Sequence, residues 1–387
     1  MRKMKLAMLI VFCVMLFGGT VVSFVLPDRE FSDVENRELA KKSKITAKRI
    51  LSGEYQKEYD TYLSDQFFFR DKWVDLAVRE QIALGKKDFN GVYLGKNNYL
   101  LEKYEKADFD SGQIKENETY LTTFLNETEK RYGRKHVRAM FVPSKTTALT
   151  NALPAYADTI DWQSMIRDLQ TKVDEPNLIY DLTKTMQSHN EEYIYYRTDH
   201  HWTTLGAYYA YTEFCKAKGI TPESLDAYSK KQNFDGFLGS FYNDTSDAKL
   251  KANPDTVTAY YPNAESICHV TASDGKKYDW PVIYDVSNYN AGLKYSTFIA
   301  SDNPYTEIEN KDLSDGSSCI VVKESFGNAF IPFLVDHYQT VYVVDYRYWT
   351  GSISKLAQDK KVNDVLFLNN LSMIRNKSLV GKLYRVL

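Results

Sequence analysis

Cysteine is scarce: the 387 residues contain four, at Cys13, Cys215, Cys268 and Cys319. Cys13 lies in an apolar run, and the other three show no C-x-x-C and no paired spacing, which excludes a disulfide framework. They read as buried small hydrophobes. A charge of one sign is also missing. Lys and Arg number 49 against 51 Asp and Glu, a net charge of −2, so no basic field points to nucleic acid and no acidic tail is present. Histidine is limited to six residues. His136, His189, His269 and His337 have no ligand spacing and read as surface or packing residues. Internal repeats and low-complexity segments are absent. What remains is a globular balance, 43% hydrophobic and 26% charged, long enough for one large or two ordinary domains. Thirty tyrosines and twenty phenylalanines form a heavy aromatic load. Tyrosine suits surfaces that are apolar on one side and wet on the other.

The first strong signal is N-terminal. Arg2, Lys3 and Lys5 precede an uninterrupted apolar stretch from Leu6 to Leu26, which ends at Pro27-Asp28-Arg29-Glu30. About 21 apolar residues suffice to span a hydrocarbon core as a helix. No A-x-A site follows; Gly18-Gly19-Thr20 is the one candidate for cleavage. The basic residues belong on the cytoplasmic side. Residues 1–30 therefore read as a signal anchor, single-pass, with the rest of the chain extracytoplasmic; a cleaved leader is the alternative and leaves the same compartment.

Residues 31–88 read as a juxtamembrane linker followed by a helical segment over 54–84, with Tyr55, Tyr59, Tyr62 and Leu63 on one side. From residue 89 the pattern changes. Turn residues at Asn90-Gly91 and the apolar pair Leu100-Leu101 predict a hairpin. Strands are predicted at 137–142, 178–181, 319–323, 341–345 and 364–368, and helices at 120–131, 162–173, 203–218 and 328–337. Strands alternating with helices predict an α/β fold, a parallel sheet flanked by helices. Residues 228–294 are turn-rich, with alternation at 256–260 and 278–284, and read as a β-rich insertion.

The densest chemical cluster is Arg197-Thr198-Asp199-His200-His201-Trp202-Thr203. In an extended segment residues i and i+2 face the same way. That sets Asp199 beside His201 and turns His200 away. A carboxylate on an imidazole holds its tautomer and stabilises imidazolium, which is the supporting half of a hydrolytic triad. Trp202 is placed to cover such a site. The best nucleophile is Ser325 in Val322-Lys323-Glu324-Ser325-Phe326-Gly327. It follows an apolar strand and precedes a helix, a turn that exposes a hydroxyl and aims N–H groups at developing negative charge. The stretch is not G-x-S-x-G, and a serine there also serves as a helix N-cap. Lys145 and Arg347 both follow predicted strands. Lys145 reads either as a loop lysine or as a site residue; Arg347 either contacts substrate or an oxyanion, or pairs with Asp345. His200 is also weighed as a second ligand of a metal site.

The tetrapeptide Asp199-His200-His201-Trp202 is the motif for which the DHHW family is named, and the chain resembles that family at several ordered places. These are Ser32-Asp33-Val34-Glu35-Asn36-Arg37-Glu38-Leu39, Tyr62 to Asp71, Phe141-Val142-Pro143-Ser144-Lys145, Lys323-Glu324-Ser325-Phe326 and Val344-Asp345-Tyr346-Arg347-Tyr348. The family in turn is similar to the alginate O-acetylation proteins with an SGNH-hydrolase-like domain, in which Asp-x-His comes before the serine, a permuted motif order. The resemblance implies Ser325 as nucleophile, His201 as general base and Asp199 as its orienting partner, within an SGNH-like domain over 89–387. Glu324 stands where the family often has Asp. Ala300-Ser301-Asp302-Asn303 stands where a glycine-rich stretch is expected, which bears on Asn303 as an oxyanion candidate. Trp202 and Phe326 complete the candidate substrate contacts. The implied activity is O-acyl transfer, chiefly acetyl, onto an extracellular or cell-surface polysaccharide. An acetylesterase and a non-catalytic polysaccharide-binding component are the alternatives. No metal or nucleotide cofactor is required by that chemistry. The resemblance implies a membrane-bound O-acyltransferase as the partner that supplies acyl groups.

Overall fold

A computed structural model describes residues 2–32, 37–89, 91–105, 109–245 and 248–387. Residues 33–36 of the early signature and Asn90 of the predicted hairpin turn lie outside the described residues. The chain divides into two units, Met1–Lys86 with Tyr242–Ala252, and Lys87–Phe241 with Asn253–Leu387.

In the smaller unit, helical segments Arg2–Cys13, Val14–Gly18 and Gly19–Val25 follow one another. Within them Lys5–Ser23, 19 residues with a mean hydropathy of 2.5, is long and apolar enough to cross a membrane. The predicted helix over 54–84 is two helices, Glu54–Asp65 and Arg70–Ala83. The break falls at Phe69, whose φ of 50° is left-handed. The Phe67-Phe68-Phe69 run supplies apolar residues at consecutive positions, a pattern no single helix face can bury.

The larger unit is built on a mixed eight-stranded sheet. Its strands are β1 (Val137–Val142), β2 (Ile179–Asp181), β3 (Ser266–Thr271), β4 (Lys277–Trp280), β5 (Tyr305–Asn310), β6 (Ser318–Lys323), β7 (Thr340–Asp345) and β8 (Asp364–Asn370). Their order is β4-β3-β5-β7-β6-β8-β1-β2. Pairings from β7 through β2 are parallel; β4, β3, β5 and β7 pair antiparallel. The purely parallel sheet expected from the sequence is thus corrected at one edge. The burial explains why: β1, β6 and β8 are buried at every position, while β5 alternates, as one-sided antiparallel strands do. Two of the strands within 228–294 extend this sheet as β3 and β4. The other two, Lys231–Phe237 and Asp255–Tyr260, form a separate antiparallel pair.

Among the described residues, the helices of eight or more residues in this unit are α1 (Ser111–Tyr132), α2 (Trp162–Lys172), α3 (Thr204–Lys218), α4 (Ile353–Lys360) and α5 (Lys377–Arg385). Asp110, Asp161 and Thr203 cap the first three, and α3 stops at Gly219 with φ 75°. Successive residues of β6 serve opposite cores. Cys319 and Val321 pack with Tyr211 and Phe214 of α3, whereas Ile320 and Val322 join the core of Leu121, Phe124 and Ile166. The helix predicted over 328–337 is one α-turn, Gly327–Phe330, followed by the 3-10 segment Ile331–His337. Pro332 has no N–H to continue the α-ladder. Because β6, β7, β8 and β1 are parallel, their carboxyl ends share one sheet edge. Glu324, Arg347, Asn370 and Lys145 lie at or just beyond those ends.

Candidate active site

Ser325 lies two residues past β6. The backbone leaves the sheet at Glu324 and turns at once: the Gly327 N–H donates to the Glu324 carbonyl (3.0 Å) and the Asn328 N–H to the Ser325 carbonyl (3.1 Å). The turn is tight enough that a Cβ at Gly327 would stand 2.7 Å from the Lys323 Cβ. Lys323 itself is buried and donates to Asp302, Asn328 and Asp345 at 3.1, 2.7 and 3.0 Å, so its charge is neutralised inside the fold.

Asp199 and His201 sit on the loop that leads into α3. The Ser325 hydroxyl is 2.7 Å from His201 Nε2, and His201 Nδ1 is 2.5 Å from Asp199 Oδ1. This pattern assigns the Nδ1–H to the carboxylate and leaves Nε2 to accept from the serine. Asp199 Oδ1 also accepts from the His201 N–H (2.9 Å), and Oδ2 accepts from the N–H and hydroxyl of Ser240 (2.8 and 3.1 Å). Burial alone would raise the Asp199 pKa. The charges of His200 and His201, with the His201 and Ser240 hydrogen bonds, outweigh burial and hold the carboxyl well below its usual range. All three side chains are under a tenth exposed.

The mouth of the site is a cleft of about 330 Å³ lined by Ser325, Glu324, His200, Phe241, Phe326 and Arg347, among others. A family model for the DHHW protein matches residues 117–344, more than half of the chain and the span that holds the whole Asp199–His201–Ser325 chain of hydrogen bonds. The protein belongs to the DHHW family. Among solved structures, a DHHW family protein from Eubacterium siraeum is 26% identical with TM-score 0.63, covering 77% of this chain and 99% of its own. Bacillus cereus PatB1 is 23% identical with TM-score 0.59, covering 73% and 97%. PatB1 with a sulfonyl adduct is 21% identical with TM-score 0.60, covering 76% and 99%. A search of curated proteins finds no match.

The remaining DHHW residues take unexpected places. His200 does not turn away. Its ring lies 3.8 Å from that of His201, centroid to centroid, and its Nδ1 is 2.8 Å from the Ser240 hydroxyl. The segment bends at residues 197–201 rather than running extended, so Asp199 meets His201 as expected while His200 packs on the His201 ring instead of turning away. Trp202 does not cover the cleft: it is fully buried, and its indole N–H donates to the Phe326 carbonyl at 3.0 Å. It ties the Asp199–His201 loop to the turn that carries Ser325. Lys145 is also fully buried, and its amine donates to the carbonyls of Leu100 and Tyr196 at 2.6 and 2.7 Å. Burial lowers its pKa to about 8, opposed by Glu102, Asp199 and Asp255. Arg347 forms a bidentate pair with Asp345 (2.8 and 2.6 Å) and reaches Asp302 at 2.9 Å, yet still lines the cleft. Asn303 is outside the cleft lining, its amide donating to the Ala300 carbonyl at 2.7 Å.

Two contributors escaped the sequence analysis, Tyr295 and Ser240, and a third, Glu324, does more than its sequence suggested. Tyr295 stacks on the His201 ring at 4.1 Å and donates its hydroxyl to the Ser325 carbonyl at 3.1 Å. Ser240 holds Asp199. Glu324 is more than a conservative stand-in. One carboxylate oxygen accepts from the Phe326 N–H and contacts the Ser325 hydroxyl, both at 3.2 Å; the other accepts from the Asn370 N–H at 3.0 Å. Burial raises the Glu324 pKa, opposed by Arg347 and these N–H groups. The first-turn N–H groups expected to face an oxyanion are therefore engaged within the turn. Asp199, His200 and His201 also offer ligand atoms within 4.8 Å of one another. Asp199 Oδ1 and both His201 nitrogens already belong to the serine-linked chain, so a cation there competes with it.

Proposed function

We propose that this protein is a serine-dependent O-acyltransferase that modifies an extracytoplasmic polysaccharide, held at the membrane by residues 1–30. The observation that carries the reading is the continuous path from the Asp199 carboxylate through His201 to a serine hydroxyl opening on a cleft. In the first half-reaction His201 Nε2 takes the Ser325 proton as Oγ attacks the acyl carbonyl of a donor ester. The tetrahedral intermediate collapses, the donor's leaving oxygen takes that proton from His201, and an acyl-serine remains. In the second, an acceptor sugar hydroxyl gives its proton to His201 while attacking the acyl carbon. Ser325 leaves and is reprotonated. Asp199 holds the imidazole in the required tautomer throughout and stabilises the transient imidazolium. Water in place of the sugar makes the same site an esterase.

Family membership and the fold shared with PatB1 support this reading, and the apolar N-terminal helix is compatible with it. The donor is proposed to come from a membrane-bound O-acyltransferase partner. The test is turnover of p-nitrophenyl acetate by the full chain in detergent, alone and with oligosaccharide acceptors. Ser325→Ala is expected to lose at least a thousandfold in turnover, and mass spectrometry should detect acetylated acceptor in the wild type only. Equal turnover in the variant rejects Ser325 as the nucleophile.

A further inference from the structure

The reaction cleft is not the largest opening in this unit. A second cleft of about 430 Å³ is lined by Tyr99, Tyr193, Asn97, Asn151, Asn190 and Arg197, with Glu191 and Glu192 among the other residues around it. Its chemistry is that of sugar recognition: the tyrosine rings offer apolar faces, with the Tyr193 hydroxyl held by Asp255, and three side-chain amides offer donors and acceptors, that of Asn151 already donating to Glu191 at 2.8 Å. Its charge is equally informative. The guanidinium of Arg197 is neutralised by the fully buried Asp255 (3.0 Å) and also donates to the Pro254 carbonyl (2.8 Å). Glu191 and Glu192 add negative charge. Such a lining disfavours anionic ligands and suits uncharged polyhydroxyl ones.

The two clefts share a wall made of two chain segments. The Leu100 N–H donates to the Arg197 carbonyl at 2.9 Å, and the buried Lys145 amine bridges the Leu100 and Tyr196 carbonyls. On the first segment Tyr99 lines the second cleft and Glu102 the reaction cleft; on the second, Arg197 lines the second cleft and His200 the reaction cleft. On the first segment, where Leu100–Glu102 is a strand, three residues of extended chain span roughly 10 Å, the scale of a short stretch of glycan. Asp255 adds a mechanical link. It accepts from the Tyr193 hydroxyl (2.5 Å), and from the N–H (2.8 Å) and hydroxyl (2.6 Å) of Thr198, the residue before Asp199.

We propose that the second cleft is an acceptor site for an uncharged glycan chain, placed so that the chain continues along the shared wall toward Ser325. This rests on the acyl-transfer reading for its purpose but not for the binding itself. The experiment uses the full chain in detergent and, as probes, hexamers and dimers of β-1,4-linked N-acetylglucosamine and glucose, with a mannuronate hexamer as the anionic control. Binding is measured by calorimetry for the wild type and for Asn151→Trp, an exposed position where the larger side chain fills the cleft. A neutral hexamer is expected to bind the wild type at least tenfold more tightly than the variant, while p-nitrophenyl acetate turnover stays the same in both. Equal hexamer affinity in the two proteins, absence of binding by either neutral hexamer, or preference for mannuronate overturns the proposal. Ser325→Ala separates the two ideas: full ester turnover in that variant removes the acyltransferase, while hexamer binding lost in Asn151→Trp alone still establishes the glycan site.

Discussion

Gly239→Ala probes the support of the Asp199 carboxylate, the orienting group of the proposed mechanism, without touching Ser325 or His201. A Cβ at this position would stand 2.2 Å from the Asp199 Cβ and 2.3 Å from its Oδ2. The obstruction includes an atom next to the backbone, so rotating the carboxylate does not relieve it. Asp199 must retreat by about 1.2–1.8 Å to reach ordinary packing distance, an overpacking that costs about 1–3 kcal/mol of stability. Retreat also breaks the two Ser240 hydrogen bonds on Oδ2. Bonds to a charged group contribute about 1.5–3 kcal/mol each. Losing one such contribution to the carboxylate that stabilises imidazolium slows turnover about 10–100-fold at 1.36 kcal/mol per decade. The ceiling is about 10⁴, the effect of disabling the orienting acid altogether. The assay is kcat for p-nitrophenyl acetate, with thermal melting to confirm a folded protein. The loss should appear in kcat with KM little changed. Turnover within about twofold of wild type in a folded variant refutes the argument that Gly239 exists to admit Asp199.

Lys145 is buried with its pKa lowered to about 8, so between about pH 8 and 10.5 the unfolded chain binds a proton that the folded one does not. Stability of the wild type relative to Lys145→Met should therefore rise by about 3 kcal/mol across that window; a flat difference in denaturant midpoints from pH 7 to 11 contradicts the assignment. Ile299, Ala300 and Ser301 have φ of 46°, 61° and 67°, a left-handed run that costs an L-residue roughly 1–2 kcal/mol each. Ala300→Gly should raise stability by up to about 1 kcal/mol after the extra chain entropy of glycine is counted, seen as a higher melting temperature, and a lower one contradicts the strain argument.

Legibility followed how local each constraint is. β1, β6 and β8 are buried on both faces, and their continuous apolar runs stop at proline, at charged residues or at turn residues, so each announces itself without a partner. β5 carries Thr306, Glu307 and Glu309 among its apolar positions and gains its stability from neighbours far away in the chain, so nothing local marks it. The site divides along the same line. Asp199, His201 and Ser325 carry chemistry in their side chains and stand beside helix starts and strand ends, where a reader of sequence looks for it. Gly239, Ser240 and Tyr295 act by reaching a group elsewhere: one by having no side chain, one by donating a backbone N–H, one by stacking a ring on an imidazole. None has a spacing that expresses this.

The left-handed run at 299–301 shows how that distinction decides function. A glycine-rich stretch there would adopt the same dihedral angles without strain, so the substituted residues persist because surrounding structure holds them. Asp302 follows immediately and is fixed by Lys323, Asn328 and Arg347. Those contacts reach Lys323 and Asn328, which flank Ser325 on both sides, so the ion-pair cluster that holds the strained turn also braces the turn that carries Ser325. Relaxing the turn with Ala300→Gly leaves those ion pairs in place. Stability should therefore rise while ester turnover stays within about twofold of wild type, because a gain of up to about 1 kcal/mol is confined to the backbone at 300. A parallel loss of turnover in that variant shows instead that strain at 299–301 is transmitted to Ser325.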